Sequence, residues 1–294
     1  MITRLAAAKV NLDLRITGRR VDGYHELDSL IAFASVGDVL TFEPASSLTL
    51  VLDGPFAGGL NHDAPQDNLV LRAAGMLQQR YDIGQGARIS LTKHLPVAAG
   101  LGGGSADAAA TLRGLAALWG IAAADAELAA LGLALGADVP VCLSGTPCRL
   151  TGIGERIEPL GAFPALWLVL VNPGVGLSTA SVFKAFDGLF STPRSRLKCD
   201  DRTVSMLIEG LAGSHNDLEA PAVGLVPQIA GCLRELRASG ECLLARMSGS
   251  GASCFGLFPS PEAATRSAAS IRAAQPGWWV ADGHIGAADN AAIS

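Results

Sequence analysis

Pro96-Val97-Ala98-Ala99-Gly100-Leu101-Gly102-Gly103-Gly104-Ser105-Ala106-Asp107 is the stretch on which the fold turns. Four glycines crowd one turn. After them Ala108, Leu112, Leu115 and Trp119 recur at i, i+4, i+7 and i+11, one face of a helix. Before them Arg88 to Thr92 alternates like a strand. A strand, a glycine turn and a helix in that order present free backbone N–H groups at the positive end of a helix dipole, an anion site. Phosphate is the usual anion, so the turn points to nucleotide chemistry. A purely structural tight turn is the competing reading, although four glycines exceed what one turn requires. The common nucleotide motifs do not fit. A P-loop needs a Gly-Lys pair, which this chain lacks. A dinucleotide fingerprint would have a third glycine where Ser105 stands.

Outward from the turn, residues 8–16 and 29–43 read as strands joined by a polar link from Gly18 to Glu26. Asp67 is expected to cap a helix carrying Leu69, Ala73, Met76 and Leu77. Leu128, Leu131 and Leu135 mark another helix, closed by Gly136. Pro140 to Pro164 reads as a turn-rich passage into a second domain, whose first strand is Leu166 to Val171. A helix near Ser178, an exposed loop over 191–202, helices over 203–212 and 221–238, and strands over 242–247 and 253–258 follow. The Ala-rich tail after Asp282 is expected to fray. Mixed strands and helices without a repeat indicate two α+β domains.

Composition sets the class. The 294 residues are 49% hydrophobic and 17% charged, enough apolar material for a full core. Gly, Pro or charge interrupts every apolar run before the roughly 18 residues of a membrane span. Met1 to Lys9 lacks the apolar segment of a signal sequence, so a soluble cytoplasmic protein is expected. The net charge of −5 and the lack of a basic run argue against a nucleic-acid surface. Six cysteines without a C-x-x-C pair read as buried thiols.

Three further features carry chemistry. Lys9 lies inside an apolar strand, where an unpaired ammonium is expensive; it is either an edge-strand lysine reaching solvent or one with a partner. Asp138, in Gly136-Ala-Asp-Val-Pro140, follows a helix end where the dipole disfavours a carboxylate, so it serves a turn or a partner. Met247-Ser-Gly-Ser-Gly-Ala-Ser253 is a second glycine-rich turn, either a hairpin or a second phosphate clamp.

Lys9-x-Asn11, Pro96-x-x-x-Gly-Leu-Gly-Gly-Gly-Ser, Gly-Ala-Asp138 and Ser-Gly-Ser-Gly251, taken in order, resemble the GHMP kinase superfamily over about residues 4–258. Gly18-Arg-Arg-x-Asp-Gly-Tyr24-His25-Glu-Leu-Asp28-Ser resembles the substrate segment of the 4-diphosphocytidyl-2-C-methyl-D-erythritol kinase family, a family of isoprenoid-precursor enzymes. Asp67-Asn68-Leu-Val, Leu177-Ser-Thr179-x-x-Val-Phe183 and Asn216-Asp217-Leu-Glu219 match that branch too.

The resemblance implies a two-domain α+β fold. An ATP-binding domain over 1–156 would contain a left-handed βαβ unit, and a ferredoxin-like substrate domain would cover 157–294, with the site between them. It implies transfer of phosphate from ATP, with Mg²⁺, to the 2-hydroxyl of the methylerythritol moiety, with Asp138 as base. Lys9 would hold Asp138 charged and screen the transferred phosphoryl group. Pro96, Gly100, Gly102, Gly103, Gly104 and Ser105 would form the phosphate turn, with Asn68, Leu69 and Lys93 near the adenine. Tyr24 and Phe183 would stack on the two faces of the cytosine, with His25 hydrogen-bonding to it. Asn11 and Thr179 would contact the methylerythritol and phosphate portions. Independently of the resemblance, Phe183 points about a hundred degrees from a core face carrying Val182 and Phe186. An aromatic clamp separates this branch from homoserine or mevalonate kinases, whose substrates have no nucleobase. Retention of both Lys9 and Asp138 separates it from a catalytically silent binder.

Many superfamily members have Ser-Ser where this chain has Gly103-Gly104, so no protein ligand for magnesium is assigned beyond the nearby Ser105 hydroxyl. The ion is expected to rest mainly on ATP phosphates and water. The expected partner is the small-molecule substrate, with no nucleic acid and no membrane, for a monomer or weak homodimer.

Overall fold

The computed structural model describes residues 1–60, 67–161, 163–194 and 203–288. The first half begins with β1 (Ile2–Asn11), β2 (Arg15–Arg19), β3 (His25–Ala45) and β4 (Thr49–Asp53). It continues with α1 (Leu69–Tyr81), β5 (Gly86–Thr92), α2 (Gly103–Leu118), α3 (Asp125–Leu135), α4 (Val139–Ser144), β6 (Cys148–Gly152) and β7 (Arg156–Pro159). The second half holds β8 (Leu166–Asn172), α5 (Thr179–Ala185), α6 (Val204–Ala212), α7 (Glu219–Leu225), α8 (Gln228–Ala238), β9 (Leu244–Met247), β10 (Cys254–Phe258), α9 (Pro261–Ala274) and β11 (Trp279–Gly286).

The 21-residue β3 is the spine of the first half, pairing antiparallel with β1, β2, β5 and β6 along its length. The α1 crossover joins β4 to β5 as a parallel pair, which is the βαβ unit. The second half has sheet order β11-β8-β10-β9 with α8 and α9 as its crossovers, the ferredoxin-like arrangement. One sheet runs through both halves, because β11 pairs with β8 along its length and with β3 at Ile285–Ala34. The inner faces explain these elements. Phe42, Leu77, Ile89, Leu112 and Leu115 are fully buried between the first sheet and α1–α2. Each such side chain contributes about 1.5–3 kcal/mol on leaving water.

Several expectations need correction. The strand expected over 8–16 breaks at Leu12–Leu14, where the buried Asp13 carboxylate accepts the Leu30 amide. Asn68, not Asp67, caps α1, its Oδ1 accepting the Val70 amide at 2.9 Å. The passage over 140–164 carries α4 and the β6–β7 hairpin, and the expected boundary at 156 falls inside β7. The helix over 221–238 is two helices, with Pro227 opening the second. The chain after Asp282 continues as β11 to Gly286, with Ile285 buried; residues 289–294 lie outside the described residues. Of the loop expected over 191–202, residues 195–202 also lie outside them. No helix among the described residues is long and apolar enough to cross a membrane. Four of the five described cysteines are buried and all five are free.

Candidate active site

The glycine turn opens α2 as expected. Gly102 is the N-cap in left-handed backbone, at φ 64°, and the first intrahelical bond runs from Ala106 N to Gly102 O at 2.9 Å. The amides of Gly103, Gly104 and Ser105 precede that bond and are the helix's free donors. Lys9 lies directly beneath: its amide donates to Leu101 O at 2.9 Å, and a Cβ on Gly102 would sit 3.2 Å from the Lys9 side chain.

The aim of Lys9 comes from β1. Its register against β3 shifts between Ala7 and Lys9, a bulge that redirects a side chain. The ammonium meets Asp138 Oδ2 at 2.8 Å, the lysine side chain 7% exposed and the carboxylate 40%. The solvent-reaching reading of Lys9 is thereby excluded. Burial pulls the Lys9 pKa down, but the Asp138 carboxylate outweighs it and the net shift is upward, so the ammonium keeps its charge. Asp138 is the N-cap of α4 as well as lying past Gly136, the C-cap of α3. It therefore meets the favourable end of the short α4 dipole as well as the unfavourable end of the α3 dipole.

The second glycine-rich turn packs against the first. Ser248 Oγ donates to Gly100 O at 2.9 Å and accepts the Asn11 amide at 3.1 Å; Ser253 N donates to Ala99 O at 3.1 Å. Asn216 Nδ2 holds the carbonyls of Met247 and Gly249, at 2.9 and 2.8 Å. The glycines thus divide by purpose. Gly100 has φ 73°, and a Cβ there would collide with Ser248 O and come within 2.7 Å of Gly251 O, so the fold requires it. Gly104 is exposed, and a Cβ there would make only a 3.5 Å contact with Leu69. Nothing in the fold demands that glycine, whereas a ligand close to the backbone would.

Asn68 and Leu69 lie at the start of α1, beside the start of α2. Lys93 lies beside the turn, but its ammonium faces inward between Asp38 and Asp107, 2.6 Å from Asp107 Oδ2, and its side chain is 3% exposed. A side chain so committed is not available to an adenine. Sequence reasoning missed Asp38 and Asp107; an acid within the apolar run of β3 is the same signal that exposed Lys9. Pro96 is half-buried where the turn begins.

Asn11 is buried and donates to Ser29 Oγ at 2.8 Å, while the Thr179 hydroxyl pairs with Ser250 Oγ of the second glycine turn at 2.8 Å. Phe183 is half-buried on α5 and stacks on His25, centroids 5.3 Å apart and planes 25° apart. Phe186, the C-cap of α5, packs partly buried against the core around Val182 and meets His25 edge-on at 6.0 Å. Tyr24 is 62% exposed on the turn between β2 and β3. The structure therefore sets His25, not Tyr24, against Phe183, and a base entering that face must displace the imidazole. Burial, then the Arg19 charge, lowers the His25 pKa, so the ring is neutral at pH 7.

No cluster of three or more His, Cys, Asp or Glu able to hold a metal is found among the described residues. The half-exposed Asp138 carboxylate and the Ser105 hydroxyl suit an ion that arrives on a nucleotide and keeps most of its water.

The family models for the GHMP kinases N terminal domain and the GHMP kinases C terminal match residues 68–146 and 199–276. A 4-diphosphocytidyl-2-C-methyl-D-erythritol kinase from Paramagnetospirillum magneticum is 49% identical over 280 residues, 95% of this chain and 97% of its own. The chain belongs to this family of GHMP kinases. A relative of the same name from Cereibacter sphaeroides is 52% identical over 281 residues, 95% of this chain and 98% of its own. A crystal structure of 4-(cytidine 5'-diphospho)-2C-methyl-D-erythritol kinase superposes with a TM-score of 0.80 at 38% identity, covering 97% of this chain and 99% of that one. Homoserine kinase from Cytophaga hutchinsonii shares the GHMP kinase fold, with a TM-score of 0.70 at 18% identity over 99% of this chain and 97% of its own.

Proposed function

We propose that this member of the 4-diphosphocytidyl-2-C-methyl-D-erythritol kinase family transfers the γ-phosphoryl group of ATP to the 2-hydroxyl of the methylerythritol moiety of 4-diphosphocytidyl-2-C-methyl-D-erythritol. The observation that carries the reading is the Lys9–Asp138 pair, 2.8 Å apart under the Gly102 turn. A binding module has no use for a buried ammonium joined to a half-exposed carboxylate at a phosphate turn.

Phosphoryl transfer asks for position and charge more than covalent chemistry. The amides of Gly103, Gly104 and Ser105 receive phosphate oxygens. The half-exposed carboxylate of Asp138 takes the proton of the acceptor hydroxyl. Lys9 places a fixed positive charge where negative charge gathers on the transferred group. Mg²⁺ carried on ATP would add charge neutralisation, held by Asp138 or Ser105 if by any side chain. Asn68 and Leu69 face the adenine end. Tyr24, His25 and Phe183 receive the cytosine, and Asn11 and Thr179 the methylerythritol and phosphate portions. The same reading makes the chain a cytoplasmic monomer or weak homodimer acting on a small molecule rather than on nucleic acid.

The test is ATP turnover by the purified protein with the cytidine substrate, mevalonate and homoserine offered separately. Turnover with the cytidine substrate alone is expected. Turnover with either of the others, and none with the first, overturns the assignment.

A further inference from the structure

Beneath the phosphate turn lies a buried cluster that the proposed chemistry does not use. Lys93 Nζ donates to Asp38 Oδ2 and to Asp107 Oδ2, and the three side chains are exposed by 3%, 0% and 3%. They come from three places: Asp38 from β3, Lys93 from the residue just past β5, and Asp107 from the second turn of α2. The other oxygen of Asp38 accepts the amides of His94 at 2.6 Å and Leu95 at 2.8 Å. One carboxylate therefore fixes the entry to the glycine turn, and one lysine ties that entry to the helix at its exit.

The cluster is built for more than neutralising one charge. A single carboxylate would balance Lys93; two, both desolvated, leave an excess negative charge that is costly to bury. Asp107 Oδ1 also has no hydrogen-bond partner, although it is fully buried. Burial pushes the Asp107 pKa up to about 7, against the pull of Lys93 and with the help of Asp38. Such a cost is unnecessary for holding a helix that already buries Ala108, Leu112 and Leu115. The ammonium lies 3.2 Å from where a Cβ on Gly103 would be, immediately under the free amides.

We propose that Lys93, gripped between Asp38 and Asp107, is a positioning residue for phosphoryl transfer. The clasp sets the depth of the first turn of α2 and hence the aim of the Gly103, Gly104 and Ser105 amides at the triphosphate. This rests on the reading of the turn as the ATP site. Lys93 acts through the turn and touches no substrate.

Lys93→Met and Asp107→Asn are the variants, the second keeping an oxygen that accepts from Lys93. ATP and cytidine-substrate dissociation constants are measured separately by calorimetry, and folding is checked by thermal unfolding. Losing one hydrogen bond to a charged group costs about tenfold or more in affinity. Lys93→Met should therefore weaken ATP at least about tenfold while the cytidine substrate changes less than about twofold. Asp107→Asn should fall between Lys93→Met and wild type. Equal loss of both ligands, or unchanged ATP affinity in folded Lys93→Met, overturns the clasp. Should Lys93→Met not fold, Asp107→Asn with wild-type ATP affinity overturns it equally. A wild-type protein that binds no ATP overturns instead the nucleotide reading beneath it.

Discussion

Lys9 and Asp138 meet at 2.8 Å although one lies in the first strand and the other at the start of α4. The contact depends on the β1 bulge that turns Lys9 under Gly102 and on the α3–α4 junction that presents Asp138 to it. Neither residue has another ion-pair partner among the described residues. Replacing Asp138 by Asn keeps shape and removes the base. Turnover should fall at least about 100-fold, the usual share of a general base. ATP affinity should stay within about threefold, since the glycine turn is untouched. Steady-state kinetics with ATP titration checks both, and near-normal turnover removes Asp138 from the mechanism.

Gly100 and Gly104 should respond oppositely to alanine. At Gly100 the left-handed backbone and the carbonyls of Ser248 and Gly251 oppose a methyl group. Gly100→Ala should cost about 2 kcal/mol or more in denaturant unfolding. At Gly104 the fold accepts the methyl, and the helix gains roughly 0.4–1 kcal/mol from a less flexible unfolded chain. Gly104→Ala should therefore keep or raise stability while weakening ATP. Unchanged ATP affinity in that variant would show that phosphate does not approach Gly104.

Phe183→Ala removes the ring on which His25 stacks. If cytosine takes that position in the complex, substrate binding should weaken by about 1–3 kcal/mol while ATP binding is unaffected. Isothermal titration with each ligand separates the two. An unchanged substrate dissociation constant would leave Phe183 with a packing role only, against the core around Val182.

His25 supplies the pH prediction. Its folded pKa lies below the ordinary 6.5, through burial first and Arg19 second. The folded state therefore holds the proton less tightly than the unfolded chain. The associated stability is present above pH 6.5 and is lost as pH falls through and below it. His25→Gln should flatten the acid side of the stability profile, and the wild-type ring should titrate below 6.5 by NMR. A midpoint above that value would contradict the burial seen here.

The sequence alone determined that a strand, a glycine turn and an apolar-faced helix follow one another, with the helix's first amides free. Glycine clustering before an apolar-periodic helix needs no tertiary information, because helix termini leave their first amides free wherever they occur. The resemblance carried by Lys9, the glycine turn, Asp138 and Phe183 reached the family for the same reason: these motifs are short and local. Tertiary structure decided what each residue faces. Lys93 reads as a cation beside a nucleotide loop, but Asp38 and Asp107 lie 55 and 14 positions away and bury it. Gly100 and Gly104 look alike in the chain; only the second glycine turn packed on Gly100 separates a glycine that the fold requires from one that it does not. His25 against Phe183, and β11 joining the sheets of both halves, likewise arise from long-range packing. Periodicity reports which face of an element is apolar; the opposing element is set by closure of the whole chain.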